Sequence, residues 1–172
     1  MKIPERLPHS LHGLRMMINY IKANYDIKTV IEIGSWTGLS AVEFAKNFDK
    51  VYCIDPWEAT GEINTEYDMK EVEKIFDNRI KDYDNIIKIK ATSADARGSS
   101  LLPKKADLIY IDGLHNYDAI RQDITLWKDK ITKLITGHDY WPNKFDGVIK
   151  AVNEALGKPD KIFSDTSWIK EI

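Results

Sequence analysis

Cysteine is all but absent. Cys53 stands alone, which excludes a disulfide framework and a cysteine-built zinc site. It lies in the apolar run Val51-Tyr52-Cys53-Ile54 and reads as a buried strand residue, not a catalytic thiol. Long hydrophobic runs are missing too. None approaches the roughly 20 apolar residues of a membrane span, and the first residues hold no apolar signal core. The expectation is a soluble, cytoplasmic protein with no membrane partner. An excess of one charge is also lacking, since 25 Lys and Arg face 27 Asp and Glu for a net charge of -2. Nothing basic argues for a nucleic-acid surface, so no nucleic-acid partner is expected. No repeat, low-complexity tract or linker interrupts the 172 residues. They read as one domain, 1–172, with 1–25 as an N-terminal arm and helix.

Two phosphate-binding patterns are absent as well. The chain has neither the Gly-x-Gly-x-x-Gly of dinucleotide enzymes nor a Gly-Lys-Ser/Thr phosphate loop. What it has is Val30-Ile31-Glu32-Ile33-Gly34-Ser35-Trp36-Thr37-Gly38. An apolar, β-branched run suits a buried strand. The glycines allow a tight turn and the close approach of a ligand. Leu39, Val42 and Ala45 then give a helical apolar face. Strand, glycine turn and helix open a nucleotide-binding α/β unit, with the ligand over the helix N-terminus. Glu32 repels phosphate but suits an ammonium or sulfonium charge. The plainer alternative is a buried, paired acid in an ordinary α/β turn.

Hydrophobic spacing continues the alternation. Helices are expected over 10–24, 37–48, within 57–84, from 117 to about 131, and over 145–156. Strands are expected over 29–34, 50–55, 86–91, 106–112, 133–138, 161–164 and 167–172. This order implies a Rossmann-like, doubly wound, mostly parallel seven-stranded sheet with helices on both faces. Ligands of such sheets bind at the carboxyl ends of the strands. Five successive strand ends here carry polar groups: Glu32 to Gly38, Asp55, Ser93 to Asp95, Asp112 to His115, and His138-Asp139.

Asp55 lies 21 residues after Gly34, a separation at which a carboxylate can accept both ribose hydroxyls, though a turn acid would look the same. Ser93 and Ala94 could flank a flat ring. Asp112, His138 and Asp139 offer two carboxylates and an imidazole. That set suits magnesium, manganese or another divalent ion, unless helix N-termini satisfy the acids instead. His115, three residues after Asp112, is a candidate general base, or else a helix-capping or metal-adjacent histidine. Tyr140 and Trp141 are candidate substrate walls or core. His9 and His12 read as solvated.

Several of these segments resemble a known family. Glu32-x-Gly34-x-x-x-Gly38 resembles the first motif of class I S-adenosylmethionine-dependent methyltransferases. More specifically, Ile54-Asp55-Pro56-Trp57, Tyr110-Ile111-Asp112-Gly113-Leu114-His115-Asn116-Tyr117, Asp123 to Trp127 and Gly137-His138-Asp139-Tyr140 resemble methyltransferase family 24. Gly147-Val148-x-x-Ala151-Val152 and Ser167-Trp168 are similar to its late pattern. The resemblance implies that Glu32, Gly34, Ser35, Trp36 and Gly38 hold the methionine end of the cofactor. It implies that Asp55 binds the ribose, that Ser93-Ala94 face the adenine, and that Asp112 belongs to cofactor and metal sites alike. Related catechol-type enzymes place a lysine where this chain has His115. The usual Pro-Gly-Gly turn before the fifth strand is absent here, which leaves the register of His138 and Asp139 open.

The sequence therefore points to an S-adenosylmethionine-dependent methyltransferase acting on oxygen of a small hydroxylated or sugar-like acceptor, with Mg2+ or another divalent cation as an assisting ion. His115 and Asp112 are the expected catalytic residues. Two alternatives share the scaffold: a metal-dependent hydroxylase-like enzyme and a non-catalytic cofactor-binding module. No inserted substrate domain is visible. Residues 1–25, 57–84 and 140–146 must then shape the pocket, and a homo-oligomer with a contributing second subunit is left open.

Overall fold

A computed structural model describes residues 3–59 and 66–172. The chain runs α1 (Pro8–Asn24), β1 (Thr29–Ile33), α2 (Leu39–Ala45), β2 (Lys50–Asp55), α3 (Met69–Ile80), β3 (Ile86–Lys90), α4 (Ser93–Ala96), β4 (Ala106–Ile111), α5 (Tyr117–Trp127), β5 (Ile131–Gly137), α6 (Asp146–Leu156), β6 (Lys161–Ile162) and β7 (Trp168–Glu171). Seven strands form one sheet in the order β3-β2-β1-β4-β5-β7-β6. The first five are parallel, and β7 pairs antiparallel with both β5 and β6.

Each central strand is apolar throughout because both of its faces are covered. Successive side chains still part to opposite faces. Val30, Val51, Leu108 and Tyr110 meet α1, α2 and α3 through Leu14, Met17, Phe44, Val72 and Phe76. Ile31, Ile54, Ile109 and Ile111 meet α5 and α6 through Ile120, Ile124, Trp127, Val148 and Val152. Cys53 is fully buried in the first of these layers, as its strand setting implies.

Apart from α4, element types match the sequence reading, and their ends shift by a few residues. The fifth strand begins at Ile131, earlier than expected, because a 3-10 turn over Lys128–Lys130 ends α5 where the Pro-Gly-Gly turn is missing. The short α4 has too few residues to show a helical period. It is announced only by the Thr92 cap, whose side chain accepts from Asp95 N. No helix among the described residues is long and apolar enough to cross a membrane.

The strand order reverses between β1 and β4, and the turns that leave these strands nearly touch. Gly34 has φ +84°, and a Cβ on it would lie 2.3 Å from the Asp112 carbonyl oxygen. Its amide donates to Ile54 O at 2.9 Å, while Asp112 N donates to Ile33 O at 2.9 Å. Replacing Gly34 with Ala adds both a left-handed strain and a backbone clash. It should destabilise the protein by more than about 1 kcal/mol in a urea unfolding series. A Gly34→Ala midpoint equal to wild type would show that the two turns are not held this tightly.

Candidate active site

The polar strand ends open into one cleft of about 1100 Å³. Glycine-loop residues Gly34 to Thr37, with Asp55, Ser93, Ala94, Asp112, His115, His138 and Asp139, all line it. The volume exceeds that of an ordinary single-ligand pocket and leaves room for two molecules side by side.

Glu32, on β1 just before the glycine turn, is fully buried and does not itself line the cleft. Its Oε2 accepts from Ser35 Oγ at 2.7 Å, while Oε1 has no hydrogen-bond partner among the described residues. Burial pushes the carboxyl up to about 7, and the hydroxyls of Ser40 and Ser35 only partly offset this. A buried acid with one idle oxygen, under a glycine turn that leaves no room for a Cβ, fits a positively charged ligand group. The paired-acid alternative accounts for only one of the two oxygens.

Asp55 is more committed than its spacing suggested. Oδ2 accepts from Trp36 N at 2.9 Å and Oδ1 from Trp57 N at 2.8 Å, while Trp57 Nε1 donates to Trp36 O at 2.8 Å. Both tryptophans have positive φ, 48° and 46°, a costly conformation for bulky residues. The carboxylate thus clamps two strained turns together. Each oxygen keeps a second lone pair for a ligand hydroxyl. Trp57 itself is core, whereas Trp36 faces the cleft.

Ser93 is also occupied. Its hydroxyl donates to Asp123 and accepts from Trp127 Nε1 at 2.8 Å. Burial pushes the Asp123 carboxyl up to about 6. Ser93 and Ala94 line the cleft, but the Ser93 hydroxyl is already shared between these two partners.

At the opposite end, β4 and β5 converge. Gly137 pairs with Ile111, and His138 N donates to Ile111 O at 3.1 Å, which sets His138 beside Asp112. Ligand-capable atoms of Asp112, His138 and Asp139 lie within 4.8 Å of one another. His138 Nδ1 is 2.9 Å from Asp139 Oδ1. His115 reaches back from the turn before α5, with Nδ1 3.1 Å from Asp139 Oδ2 and Nε2 3.5 Å from Asp112 Oδ1. Phe145 meets its ring edge-on at 5.4 Å. Burial lowers the basicity of His115, but the adjoining Asp112 and Asp139 more than reverse this, and its pKa lies above the ordinary value. Asn116, not His115, caps α5, accepting from Ala119 N at 2.9 Å. That removes the capping alternative for His115.

Two groups here belong to no motif in the sequence. Arg6, from the arm before α1, donates to Asp112 Oδ2 and, at 3.2 Å, to Tyr110 Oη. Burial would raise the Asp112 carboxyl, but Arg6 and His138 hold it well below the usual carboxylate range. Asp165, in the turn between β6 and β7, lies 3.7 Å from His138 Nε2 and 3.8 Å from Arg6 Nη1. An isolated arginine and a turn aspartate fit no motif. The one hint is Asp165-x-Ser167, the spacing of an Asx turn, with Ser167 N donating to Asp165 Oδ1 at 3.2 Å. Of the expected walls, Trp141 lines the cleft, and Tyr140 instead packs inward and donates to Asn153 at 3.0 Å; Phe145, which the sequence did not single out, lines the cleft as well. His9 is solvent-exposed, as expected, at the cleft rim.

Residues 31–140 match a family model described as a methyltransferase domain. No curated protein sequence matches the chain. Solved structures share the fold. A candidate caffeoyl-CoA O-methyltransferase from Staphylococcus aureus has 16% identity and a TM-score of 0.65, covering 99% of this chain and 85% of its own. An rRNA methylase from Streptococcus thermophilus has 13% identity and a TM-score of 0.61, covering 99% of each chain. Fibrillarin from Aeropyrum pernix, solved with natively bound S-adenosyl-L-methionine, has 10% identity and a TM-score of 0.61, covering 95% of this chain and 76% of its own. At these identities the likeness is one of fold. The rRNA methylase also shows that this fold serves nucleic-acid acceptors, so a net charge near zero does not exclude them.

The raised Glu32 carboxyl makes a stability prediction. From pH 4.5 to about 7 the folded protein keeps a proton that the unfolded chain has lost, so this group's contribution falls as pH rises through that window. Glu32→Gln does not titrate. Relative to wild type it should gain about 3 kcal/mol between pH 4.5 and 7.5 and nothing further above that. Urea unfolding at four pH values reads it, and a pH-independent difference would contradict the assignment.

Proposed function

The chain belongs to the methyltransferase-domain family and is an S-adenosylmethionine-dependent methyltransferase; on that premise we propose that it methylates an oxygen of a small hydroxylated or sugar-like acceptor. The observation that carries this reading is His115, set between the Asp112 and Asp139 carboxylates on the same cleft as the glycine loop. When bound, the cofactor supplies an activated methyl group, and a divalent ion supplies a Lewis acid that makes a hydroxyl more acidic.

The chain's own residues do the rest. Glu32, with its idle Oε1, holds positive charge at the methionine end. Gly34, Ser35, Trp36 and Gly38 form the turn around it. Asp55 keeps that turn in its strained shape and accepts from the ribose. Ser93 and Ala94 flank the adenine. Asp112, His138 and Asp139 would hold the divalent ion, and their donor set, two carboxylates and one imidazole, fits one. His115 removes the acceptor proton. Asp139 at its Nδ1 sets the ring's orientation, and Phe145 limits its swing. Trp141, nearly half exposed at the rim, offers a flat wall to a ring-shaped acceptor. Most of the acceleration then comes from holding acceptor and methyl donor in line.

Calorimetric titration with S-adenosylhomocysteine should show binding by wild type, and Glu32→Ala should weaken it at least about tenfold. With any acceptor found in a screen of hydroxylated compounds, His115→Ala should lower kcat by about 100-fold or more while homocysteine-cofactor binding persists. Asp112→Ala should abolish turnover. Near-normal activity of Asp112→Ala would defeat the proposed site, and wild type that fails to bind S-adenosylhomocysteine would defeat the cofactor assignment.

A further inference from the structure

The arm ahead of α1 is not a loose lead-in. Residues 3–7 cross the mouth of the cleft as a strap with three consecutive attachments. Trp36 Nε1 donates to Pro4 O at 3.0 Å. Glu5 accepts from Arg79 at 2.9 Å and from Thr37 Oγ1 at 3.2 Å. Arg6 passes inward to Asp112 and Tyr110. Tyr110 and Asp112 are two residues apart along β4 and its exit, so they share a face and one guanidinium reaches both.

The three attachments differ in strength. The Glu5–Arg79 pair is part-exposed, with side-chain exposures of 37% and 25%, and pairs of that kind contribute little. Arg6 and Asp112 are only 13% and 12% exposed. Arg6 Nη1 is buried with no hydrogen-bond partner among the described residues. A buried, charge-assisted pair is the stronger hold, so Arg6 is the latch of the strap.

That latch sits on a carboxylate proposed as an ion ligand. Its guanidinium also shares Asp165 with His138, a second proposed ligand, at 3.8 and 3.7 Å from the same Oδ2. A divalent ion among Asp112, His138 and Asp139 would bring two further positive charges against this guanidinium. We propose that Arg6 is the resident cation of the acidic cluster and that a divalent ion and the strap exclude one another at Asp112. Seating the ion releases Arg6, and the strap then lifts from Trp36 and Thr37, which opens the cleft along the glycine loop. The inference rests on the ion-binding reading of Asp112, His138 and Asp139.

The test uses Mn2+ as the probe on the full chain and needs no acceptor. Calorimetry should show Mn2+ binding at least tenfold tighter to Arg6→Ala than to wild type. Arg6→Lys, which keeps the charge, should retain the weak wild-type affinity, and this separates charge exclusion from lost packing. Trypsin cleavage after Arg6 supplies a second readout. The bond should be protected in wild type without the ion and cut at least tenfold faster with Mn2+. Asp139→Ala, which lacks an ion ligand and keeps the latch, should stay protected in both conditions. Equal Mn2+ affinity for wild type and Arg6→Ala, with Arg6 still protected, overturns the exclusion and leaves the ion site standing. No Mn2+ binding by either protein overturns the ion reading and the inference with it. Binding of S-adenosylhomocysteine by wild type, measured alongside, reports on the cofactor assignment independently.

Discussion

The Asp112 carboxylate is the interaction on which the site depends. It lies one residue past β4, at the reversal of strand order, with its backbone pressed against Gly34 of the neighbouring turn. A carboxylate this deep is costly unless positive charge surrounds it. Arg6 supplies that charge, and the imidazoles of His115 and His138, from two other parts of the chain, lie at 3.5 and 3.8 Å from the same carboxylate. One buried charge therefore gathers the N-terminal arm, the turn before α5 and the end of β5. Each arrives within reach of the cleft that the glycine loop also lines.

The other end of the cleft follows a different rule. Among the described residues no cation acts on Glu32, which is instead held with a raised pKa by burial. Asp112 is held low by its partners in spite of burial. Two carboxyl groups on adjacent strands are thus driven in opposite directions. The first is poised to gain from an arriving positive group, and the second is already an anion that must be shared among competing cations. Asp55 belongs to neither class. Its oxygens serve the backbone amides of two strained tryptophans, so its first task is to keep the glycine loop in shape.

Much of this was legible in the residues. The strands are continuous apolar runs because both faces of the sheet are covered, and the helices have clear periods because each buries one stripe. Glu32, Asp112, His115, His138 and Asp139 stand out because they interrupt those patterns at strand ends. The capping role weighed for His115 falls to Asn116, since only the folded turn shows which side chain reaches Ala119 N. The Ser93 hydroxyl, beside the ring that Ser93 and Ala94 were expected to flank, is shared by Asp123 and Trp127 from a helix 30 residues away. Arg6 and Asp165 were invisible because their meaning lies in partners more than 20 residues distant, and no local period marks such a pairing.

By itself the sequence determined the α/β alternation, the parallel core and the set of polar strand ends, because periodicity and turn chemistry act over a few residues. It also carried the family pattern that names the chemistry. Only the tertiary structure decided which charges neutralise which. The register of β5 put His138 beside Asp112, and the path of the arm put Arg6 on the same carboxylate. Electrostatic pairing depends on distance in space and on burial, and both are settled only when the sheet closes its order and the arm lies across it.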